Sequence, residues 1–177
     1  MNMYRKKQNR GFTLIEMLIA VFIFSVSLVG LMTISSRGLK VAKEAQNQII
    51  AEYLALEGIE VVRNVRDSAL LSQEGARTWQ NVFDQDACLS QSGSNPSCMF
   101  TLGDPIILEP CTTCRVYYSE SLYAYRNDQS SGYTDSGFTR KIQFTTVPTN
   151  NREIRVSVTV DWNGGEVTYS ENLFLWL

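Results

Sequence analysis

One uninterrupted apolar run constrains this chain more than any other feature of its sequence. The run extends from Phe12 to Ile34, and Glu16 is the only charged residue within it. As a helix, the run would span about 34 Å, which is enough to cross the hydrocarbon core of a bilayer. We therefore predict a transmembrane helix over residues 12–36, with a carboxylate near its beginning.

Residues 1–11 form a short polar leader that contains no acidic residue. Its positive charges are Arg5, Lys6, Lys7 and Arg10. Such a compact positive flank favours an N-terminus in the cytoplasm, and therefore a single-pass protein of the cytoplasmic membrane whose body lies outside. A secretory signal peptide would have a shorter apolar region followed by a small-residue cleavage site. Because residues 35–38 make a poor site of that kind, we expect the apolar segment to be retained.

The helix is predicted to continue beyond the membrane as an amphipathic segment over residues 37–67. No proline interrupts the chain between Leu39 and Asp67, and apolar residues recur there at three- and four-residue steps. Gly38 and Gly58 each weaken a helix and are candidates for a bend. The apolar stripe predicted to pack on a sheet consists of Val41, Ala45, Ile49, Tyr53, Leu56, Ile59 and Val62.

Alternating patterns typical of strands follow a polar connector, residues 68–114. Strand-like segments cover residues 115–125, 139–147, 153–162 and 166–176, and Asn163-Gly-Gly165 supplies a tight turn between the last two. Antiparallel strands with one exposed face need a cover for the other face, and the amphipathic helix supplies it. We therefore predict an α+β fold, in which one long N-terminal helix packs on a C-terminal antiparallel sheet of about four strands, residues 115–177.

The composition excludes several kinds of catalytic site. The chain has no histidine, so it contains neither a histidine-activated nucleophile nor a histidine-ligated metal. With the commonest general base missing, we predict that the protein is not an enzyme, with no cofactor and no metal. The net charge is −2, and the body is more acidic than the leader, which gives no reason to expect a nucleic-acid partner.

The four cysteines all lie well after the apolar run, at Cys88, Cys98, Cys111 and Cys114. Four cysteines allow three pairings. If the body lies outside the cytoplasm, two local disulfides are favoured, one closing the loop from Cys88 to Cys98 and one closing the turn from Cys111 to Cys114. The competing interpretation is a zinc site made of all four thiolates, although zinc knuckles are usually CxxC pairs and only one is present.

Three further groups of residues are candidate sites. Cys111-Thr-Thr-Cys114 has the spacing of a redox motif, but it precedes a strand, so a structural turn is favoured. Carboxylates that could bind calcium lack the regular loop spacing, so solvated loops are favoured for Asp84, Asp86, Asp128 and Asp135. Five tyrosines could form a surface for carbohydrate or for a partner, but half-buried strand residues are the simpler interpretation: Tyr117, Tyr118, Tyr123, Tyr125 and Tyr133.

Glu16 needs an explanation, because an ionised side chain inside a membrane costs a few kcal/mol unless it is paired. The simplest explanation is that it lies only about 6 Å into the helix and reaches the interface. Arg10 could pair with it from upstream. The other available partner is an α-amino group created by cutting after Gly11, since the Phe12 ammonium of one subunit could then neutralise Glu16 of a neighbour and fix their axial offset.

The beginning of the chain resembles the class III signal of type IV prepilins and pseudopilins. The residues that carry the resemblance are the basic leader ending in Gly11, the segment Phe12-Thr-Leu-Ile-Glu16 and the apolar helix. The resemblance implies cleavage between Gly11 and Phe12 by a prepilin peptidase, N-methylation of Phe12 and a role for Glu16 in assembly. The implied partners are this peptidase and methyltransferase, other pilin subunits of the same filament, the inner-membrane assembly platform and, before assembly, membrane lipid.

The function implied by this resemblance is that of a structural subunit of a type IV pilus or related filament, which reaches the cell surface. Such filaments support adhesion, motility, DNA uptake or secretion. The segment Ala51–Arg63 looks like the helix of minor pilins and pseudopilins, and two departures from major pilins favour a minor subunit: the apolar segment lacks a proline, and all cysteines precede Arg115. One alternative is a single-pass, membrane-anchored extracytoplasmic binding module that does not polymerise; another is an anchored thiol oxidoreductase.

Overall fold

The computed structural model describes residues 11–71, 83, 88–89, 96–103, 106–147 and 152–175. These residues fall into two compact units, which divide between Lys43 and Glu44. The first unit holds the apolar part of the helix, and the second holds the rest of the helix and the sheet. The elements are α1 (Leu14–Leu71), β1 (Cys98–Thr101), β2 (Ile107–Pro110), β3 (Arg115–Ser119), β4 (Ala124–Arg126), β5 (Thr134–Thr146), β6 (Glu153–Trp162) and β7 (Gly165–Phe174).

The α+β prediction is confirmed, but the predicted number of strands is too low. The described residues form one antiparallel sheet of seven strands, in which β5 pairs with β6 along one edge and with β3 and β1 along the other. The added strands β1 and β2 lie inside the segment predicted as a connector, residues 68–114. The predicted strand over residues 115–125 is two strands, β3 and β4, because Tyr123 turns the chain with a φ of 51°.

The hairpin of β6 and β7 follows its sequence pattern closely. On β6 the buried side chains are Ile154, Val156, Val158 and Val160. Trp162 pairs with Gly165, so the turn contains only Asn163 and Gly164. Gly164 adopts a φ of 156°, a value that residues with a side chain rarely adopt. A glycine is therefore needed at this position.

The opposite face of this hairpin carries a ladder of polar pairs. The hydroxyl oxygens of Ser157 and Ser170 lie 2.9 Å apart, and those of Thr159 and Thr168 lie 2.8 Å apart. Asn172 continues the ladder, since it accepts a hydrogen bond from Arg155 Nε at 3.0 Å. Each pair lies directly across the two strands, so the ladder and the apolar face agree on one register.

The helix face that packs on the sheet is not the predicted one. Of the predicted stripe, only Ile59 and Val62 are buried, whereas the large side chains of Ile49, Tyr53 and Leu56 are about half exposed or more. The buried residues of α1 are Ala51, Leu54, Ala55, Gly58, Ile59, Val61, Val62 and Leu70. Small residues dominate the centre of this face because the helix backbone lies close to the sheet, and a close approach leaves no room for large side chains.

Gly58 marks a close approach of α1 to the sheet rather than a bend. A Cβ atom built on Gly58 would lie 2.8 Å from Val158 Cγ1 and 3.6 Å from Arg140 Cδ. The helix continues through Gly58 to Leu71 without a break. The glycine is therefore kept for packing, at the cost in helix propensity that glycine always carries.

Gly58 and Gly38 offer a matched pair of substitutions. We expect Gly58→Ala to lower the free energy of unfolding by about 1–3 kcal/mol, because the added methyl group overpacks the interface with Val158. Gly38→Ala meets nothing within 4 Å and should leave stability unchanged or raise it by up to about 1 kcal/mol through helix propensity. Thermal unfolding of the full chain in detergent micelles, followed by circular dichroism, measures both. Equal effects of the two substitutions would contradict a close helix–sheet contact at Gly58.

A buried arginine joins three elements and one connecting segment of the second unit. Arg140 on β5 is 1% exposed, and its Nη1 donates hydrogen bonds to Leu54 O of α1 at 3.2 Å and to the Glu57 carboxylate. Its Nη2 donates to Asn127 Oδ1, in the chain that follows β4. The guanidinium carbon lies 4.0 Å from the centroid of the Phe100 ring on β1. Burial lowers the pKa of Arg140 and the nearby Glu57 carboxylate opposes this shift, so the group keeps its charge at neutral pH.

Removing this side chain tests its importance. We expect Arg140→Ala to lower the free energy of unfolding by about 3 kcal/mol or more, because Leu54 O and Asn127 lose a buried partner and a cavity forms. The control is Arg155→Ala on the exposed face of β6, for which a change within about 0.5 kcal/mol is expected. Denaturant unfolding of the full chain in micelles, followed by tryptophan fluorescence, compares the two variants. A loss for Arg140→Ala no larger than that for Arg155→Ala would be the contrary result.

Candidate processing and assembly site

The predicted cleavage bond lies just before the helix begins. Gly11, Phe12 and Thr13 have no helical structure, and α1 starts at Leu14. Phe12 is 80% exposed, and a Cβ atom built on Gly11 would meet nothing within 4 Å. A peptidase binds an extended chain more easily than a helix, so the bond between Gly11 and Phe12 is accessible where the sequence predicts cleavage. The leader residues Arg5, Lys6, Lys7 and Arg10 lie outside the described residues.

Thr13 caps the start of α1. Glu16 N donates to Thr13 O at 3.1 Å and to Thr13 Oγ1 at 3.4 Å, and Met17 N donates to Thr13 O at 3.3 Å. A threonine followed three residues later by a glutamate is the pattern of a capping box, and a carboxylate in the first turn also complements the helix dipole. Thr13 is a residue that our sequence reasoning missed, although the Thr-x-x-Glu spacing was visible.

The hydroxyl groups of the apolar segment are satisfied inside the helix itself. Ser25 Oγ, Ser27 Oγ and Thr33 Oγ1 each donate to the carbonyl oxygen four residues earlier, at 2.7, 2.8 and 2.9 Å. They therefore need no partner from outside, whether lipid or protein surrounds the helix. Glu16 differs: among the described residues, every ion pair lies in the second unit and none includes Glu16.

The apolar surface of this segment is uncovered. An 18-residue window of α1 has a mean hydropathy of 2.6, and none of it is buried, so the helix is long and apolar enough to cross a membrane. From Leu14 to Ile34 the large apolar side chains are between 41% and 79% exposed. A surface this apolar must be covered in the cell by lipid or by other apolar helices.

Residues 6–32 match the family model described as the prokaryotic N-terminal methylation motif. The chain carries the prepilin signal. This motif marks type IV pilins and pseudopilins, and it implies that the pilin-like chain is processed by prepilin peptidase and assembles with other pilins. Together with the apolar helix, it indicates a membrane-anchored pilin-like subunit. Comparison with curated proteins and with solved structures gave no match.

The cysteines of this pilin-like chain form two disulfides, Cys88–Cys98 and Cys111–Cys114, and none is free. This is the local pairing that the sequence favours for an exported body, and it leaves no thiolate for the competing zinc site. Cys98 begins β1, where it pairs with Pro110 of β2 and with Ile142 of β5. The first bridge ties the connector to the beginning of β1, and the second closes the turn from β2 to β3.

The remaining candidates take part in local structure. Asp128 accepts hydrogen bonds from Arg126 Nε at 2.8 Å and from Ser130 Oγ, and Asp135 pairs with Arg115. These partners occupy the carboxylates, and no group of three or more potential metal ligands occurs in the described ranges. Asp84 and Asp86 lie outside those ranges.

Tyr117, Tyr118 and Tyr125 are half-buried strand residues, as the simpler interpretation predicts, whereas Tyr123 and Tyr133 lie outside the strands. The rings of Tyr118 and Tyr125 lie 4.7 Å apart on neighbouring strands, and Tyr117 and Tyr133 are partly buried. Burial and the charge of Tyr118 raise the pKa of Tyr125. Tyr123, in the turn between β3 and β4, is 83% exposed and stands apart from the others.

The two disulfides should differ in their contribution to stability. Removing Cys88–Cys98 by a double serine substitution frees the longer loop and should lower the free energy of unfolding by about 3 kcal/mol; removing Cys111–Cys114 should cost about 2 kcal/mol. Denaturant unfolding of the full chain in micelles measures both. A non-reducing peptide map of the wild type provides the control, and any crossed pair in that map would contradict the local pairing.

Proposed function

We propose that this chain is a minor subunit of a type IV pilus or a related filament, anchored in the cytoplasmic membrane before assembly and exposed at the cell surface afterwards. The observation that carries the proposal is the helix from Leu14 to Ile34, whose apolar surface is uncovered and whose one carboxylate, Glu16, lies beside the predicted cleavage bond. An anchor needs only the apolar surface. A subunit that must be placed at a defined height among the helices of other pilins also needs a polar group to set that height.

Processing supplies the partner that Glu16 needs. Cleavage after Gly11 would create an ammonium group on Phe12, which the same enzyme N-methylates. Phe12 precedes the helix, and Glu16 makes no ion pair among the described residues, so its carboxylate is available to a neighbouring subunit. Pairing of Glu16 with the Phe12 ammonium of that neighbour would neutralise both charges and fix the axial offset between subunits.

The positive leader and the disulfides support the proposed topology. The basic residues before the apolar run favour an N-terminus in the cytoplasm. Disulfides persist in oxidising compartments, which fits a body outside the cytoplasm. Because lipid and a helical filament core are both apolar, transfer of the helix from one to the other costs little solvation free energy, so the Glu16 pair and helix packing decide register.

A minor and structural role has separate support. The apolar segment has no proline, and both disulfides precede β3, whereas major pilins often have a proline in that segment and a disulfide near the C-terminus. The absence of histidine argues for assembly rather than catalysis. The partners would be the prepilin peptidase, other pilins and the inner-membrane assembly platform, and the filament would serve adhesion, motility, DNA uptake or secretion.

Mass spectrometry of the N-terminal peptide tests processing. We expect a chain that begins at N-methylated Phe12 in the sheared-surface fraction of cells that make filaments. The same terminus confined to membranes would identify a subunit of a short or basal filament. An intact leader, in cells that process other prepilins, would contradict the proposal.

Replacing Glu16 tests assembly. Glu16→Ala should lower the amount in the sheared fraction at least tenfold while the exported body still forms both disulfides, because the charge that sets the subunit offset is lost. Ser25→Ala is the matched control, since that hydroxyl is satisfied within the helix and should be dispensable. A membrane-anchored binding module that never polymerises would be indifferent to both substitutions, so an unchanged distribution of Glu16→Ala favours that alternative.

A further inference from the structure

The last strand of the sheet, β7, is a long edge. It is ten residues long and pairs only with β6, and no backbone hydrogen bond among the described residues leaves its outer side. The strands at the other edges are short: β2 has four residues and β4 has three. Proteins usually protect a long edge with charged side chains, lysine above all, with proline or with a bulge. β7 contains neither lysine nor proline, its charged residues are Glu166 and Glu171, and its register with β6 is continuous from Gly165 to Phe174.

The connector after α1 is attached to strands that lie away from the β7 edge. Phe83 packs on Phe144 of β5, with ring centroids 4.7 Å apart, and Cys88 is bonded to Cys98 of β1. Both contacts lie on strands separated from β7 by β6. The described part of the connector therefore leaves the β7 edge uncovered.

A groove of about 450 Å³ lies beside this edge, between α1 and β7. Its apolar walls are Tyr53 and Leu56 of the helix and Tyr169 of the strand, which are 70%, 49% and 36% exposed. Tyr53 and Leu56 belong to the stripe that was predicted to face the sheet and does not. These side chains are thus large, apolar and unused by the fold of the chain itself.

The register of β7 determines which side chains an added strand would contact. Tyr169 pairs with Val158 and Glu171 pairs with Val156, and both valines are buried beneath α1. Because directly opposite residues share a face, Tyr169 and Glu171 project on the helix side of the sheet. A strand added along β7 would place alternate side chains next to these two, where cross-strand pairs form.

The charges in the groove determine which charge an added strand should carry. The lining includes the carboxylates of Glu57, Glu60 and Glu171, and its only cation is Arg63. Arg63 bonds to Glu171 and Glu60, which raise its pKa, and Arg140 neutralises Glu57, so one negative charge remains in excess. A second copy of β7 would bring another Glu171 against this surface and be repelled, whereas a lysine or arginine would be attracted.

We propose that the outer edge of β7 accepts an extended segment of a different protein, which adds a strand to the sheet. The segment carries an apolar residue opposite Tyr169, inserted between Tyr53 and Leu56, and a lysine or arginine two positions away, opposite Glu171. Main-chain hydrogen bonds supply the affinity and the groove supplies the specificity. The inference rests on the proposed function, because it assigns the subunit a surface that holds a partner on the filament.

A synthetic peptide tests the site directly. The probe is fluorescein-labelled Thr-Thr-Leu-Thr-Lys-Thr-Thr, titrated with the full chain in detergent micelles and followed by fluorescence anisotropy. We expect saturable binding, weakened at least tenfold when the lysine of the peptide is replaced by glutamate. Two further peptides, N-methylated at alternate residues along one edge or the other, separate strand pairing from side-chain contact, because only the set that faces β7 should abolish binding.

Variants of the chain locate the site. Tyr169→Ala should weaken binding at least tenfold, because it removes one apolar wall of the groove. Tyr123→Ala, at an exposed tyrosine in the turn between β3 and β4, is the matched control and should bind the peptide as the wild type does. Unfolding midpoints of both variants show whether the sheet is intact. A second variant, Leu56→Ala on the helix side, tests the same groove without touching the strand.

Three outcomes would overturn the proposal. No saturable binding up to about 1 mM peptide would exclude an affinity of any use to a partner. An affinity that is the same for wild type, Tyr169→Ala and Leu56→Ala, and for both N-methylated peptides, would show that the peptide binds the micelle and not the groove. Self-association of the chain that excludes the peptide and is lost in Tyr169→Ala would mean that a second copy covers the edge.

The two proposals can fail independently. Processing at Phe12 without peptide binding would contradict the edge site alone. Peptide binding by a chain that cells leave unprocessed would contradict the filament proposal and leave the edge site supported.

Discussion

The fold of the second unit depends on how it satisfies one buried positive charge. A guanidinium that is removed from water must keep its charge and find acceptors, because its pKa is too high for deprotonation. Arg140 finds them on the helix, at Leu54 O and Glu57, and in the chain after β4, at Asn127. These acceptors lie far apart in sequence, so their convergence fixes both the rotation and the axial position of α1 on the sheet. The small residues of α1, Gly58 above all, let the helix come close enough for a backbone carbonyl to be reached.

Several elements could be predicted from the sequence because their patterns have a single interpretation. The alternation of β6 has one apolar face, and its register is repeated by the hairpin turn and by the polar ladder. The apolar run at the beginning of the chain is equally clear. The rotation of α1 was predicted wrongly because two faces of the helix are apolar. Large side chains dominate the predicted stripe, whereas the centre of the interface contains the small residues Ala51, Ala55 and Gly58. Strands β1 and β2 are too short for a period to be visible, and disulfides and pairing hold them in place.

The structural roles of Arg140 and Thr13 could have been predicted from the sequence. Arg140 occupies an apolar position in the alternation of β5, between Phe138 and Ile142, which is the signature of a buried charge. Thr13 lies three residues before Glu16, the spacing of a helix cap. In both cases a polar residue in an apolar pattern has a structural partner. The carboxylate of Glu16 has one structural role, at the start of the helix, and its charge remains available for another. The edge of β7 could not be predicted at all, because an unpaired edge is a property of the assembled sheet.

The polar ladder on the hairpin of β6 and β7 has a consequence for the environment in which this surface operates. Its central pairs, Ser157 with Ser170 and Thr159 with Thr168, join hydroxyl groups, which neither titrate nor attract counterions over the range of natural waters. Screening by dissolved salt weakens exposed ion pairs but leaves neutral pairs almost untouched. This face of the sheet should therefore keep the same strand register at low salt, at high salt and in mild acid, because the pairs that align it carry no charge to screen or to titrate.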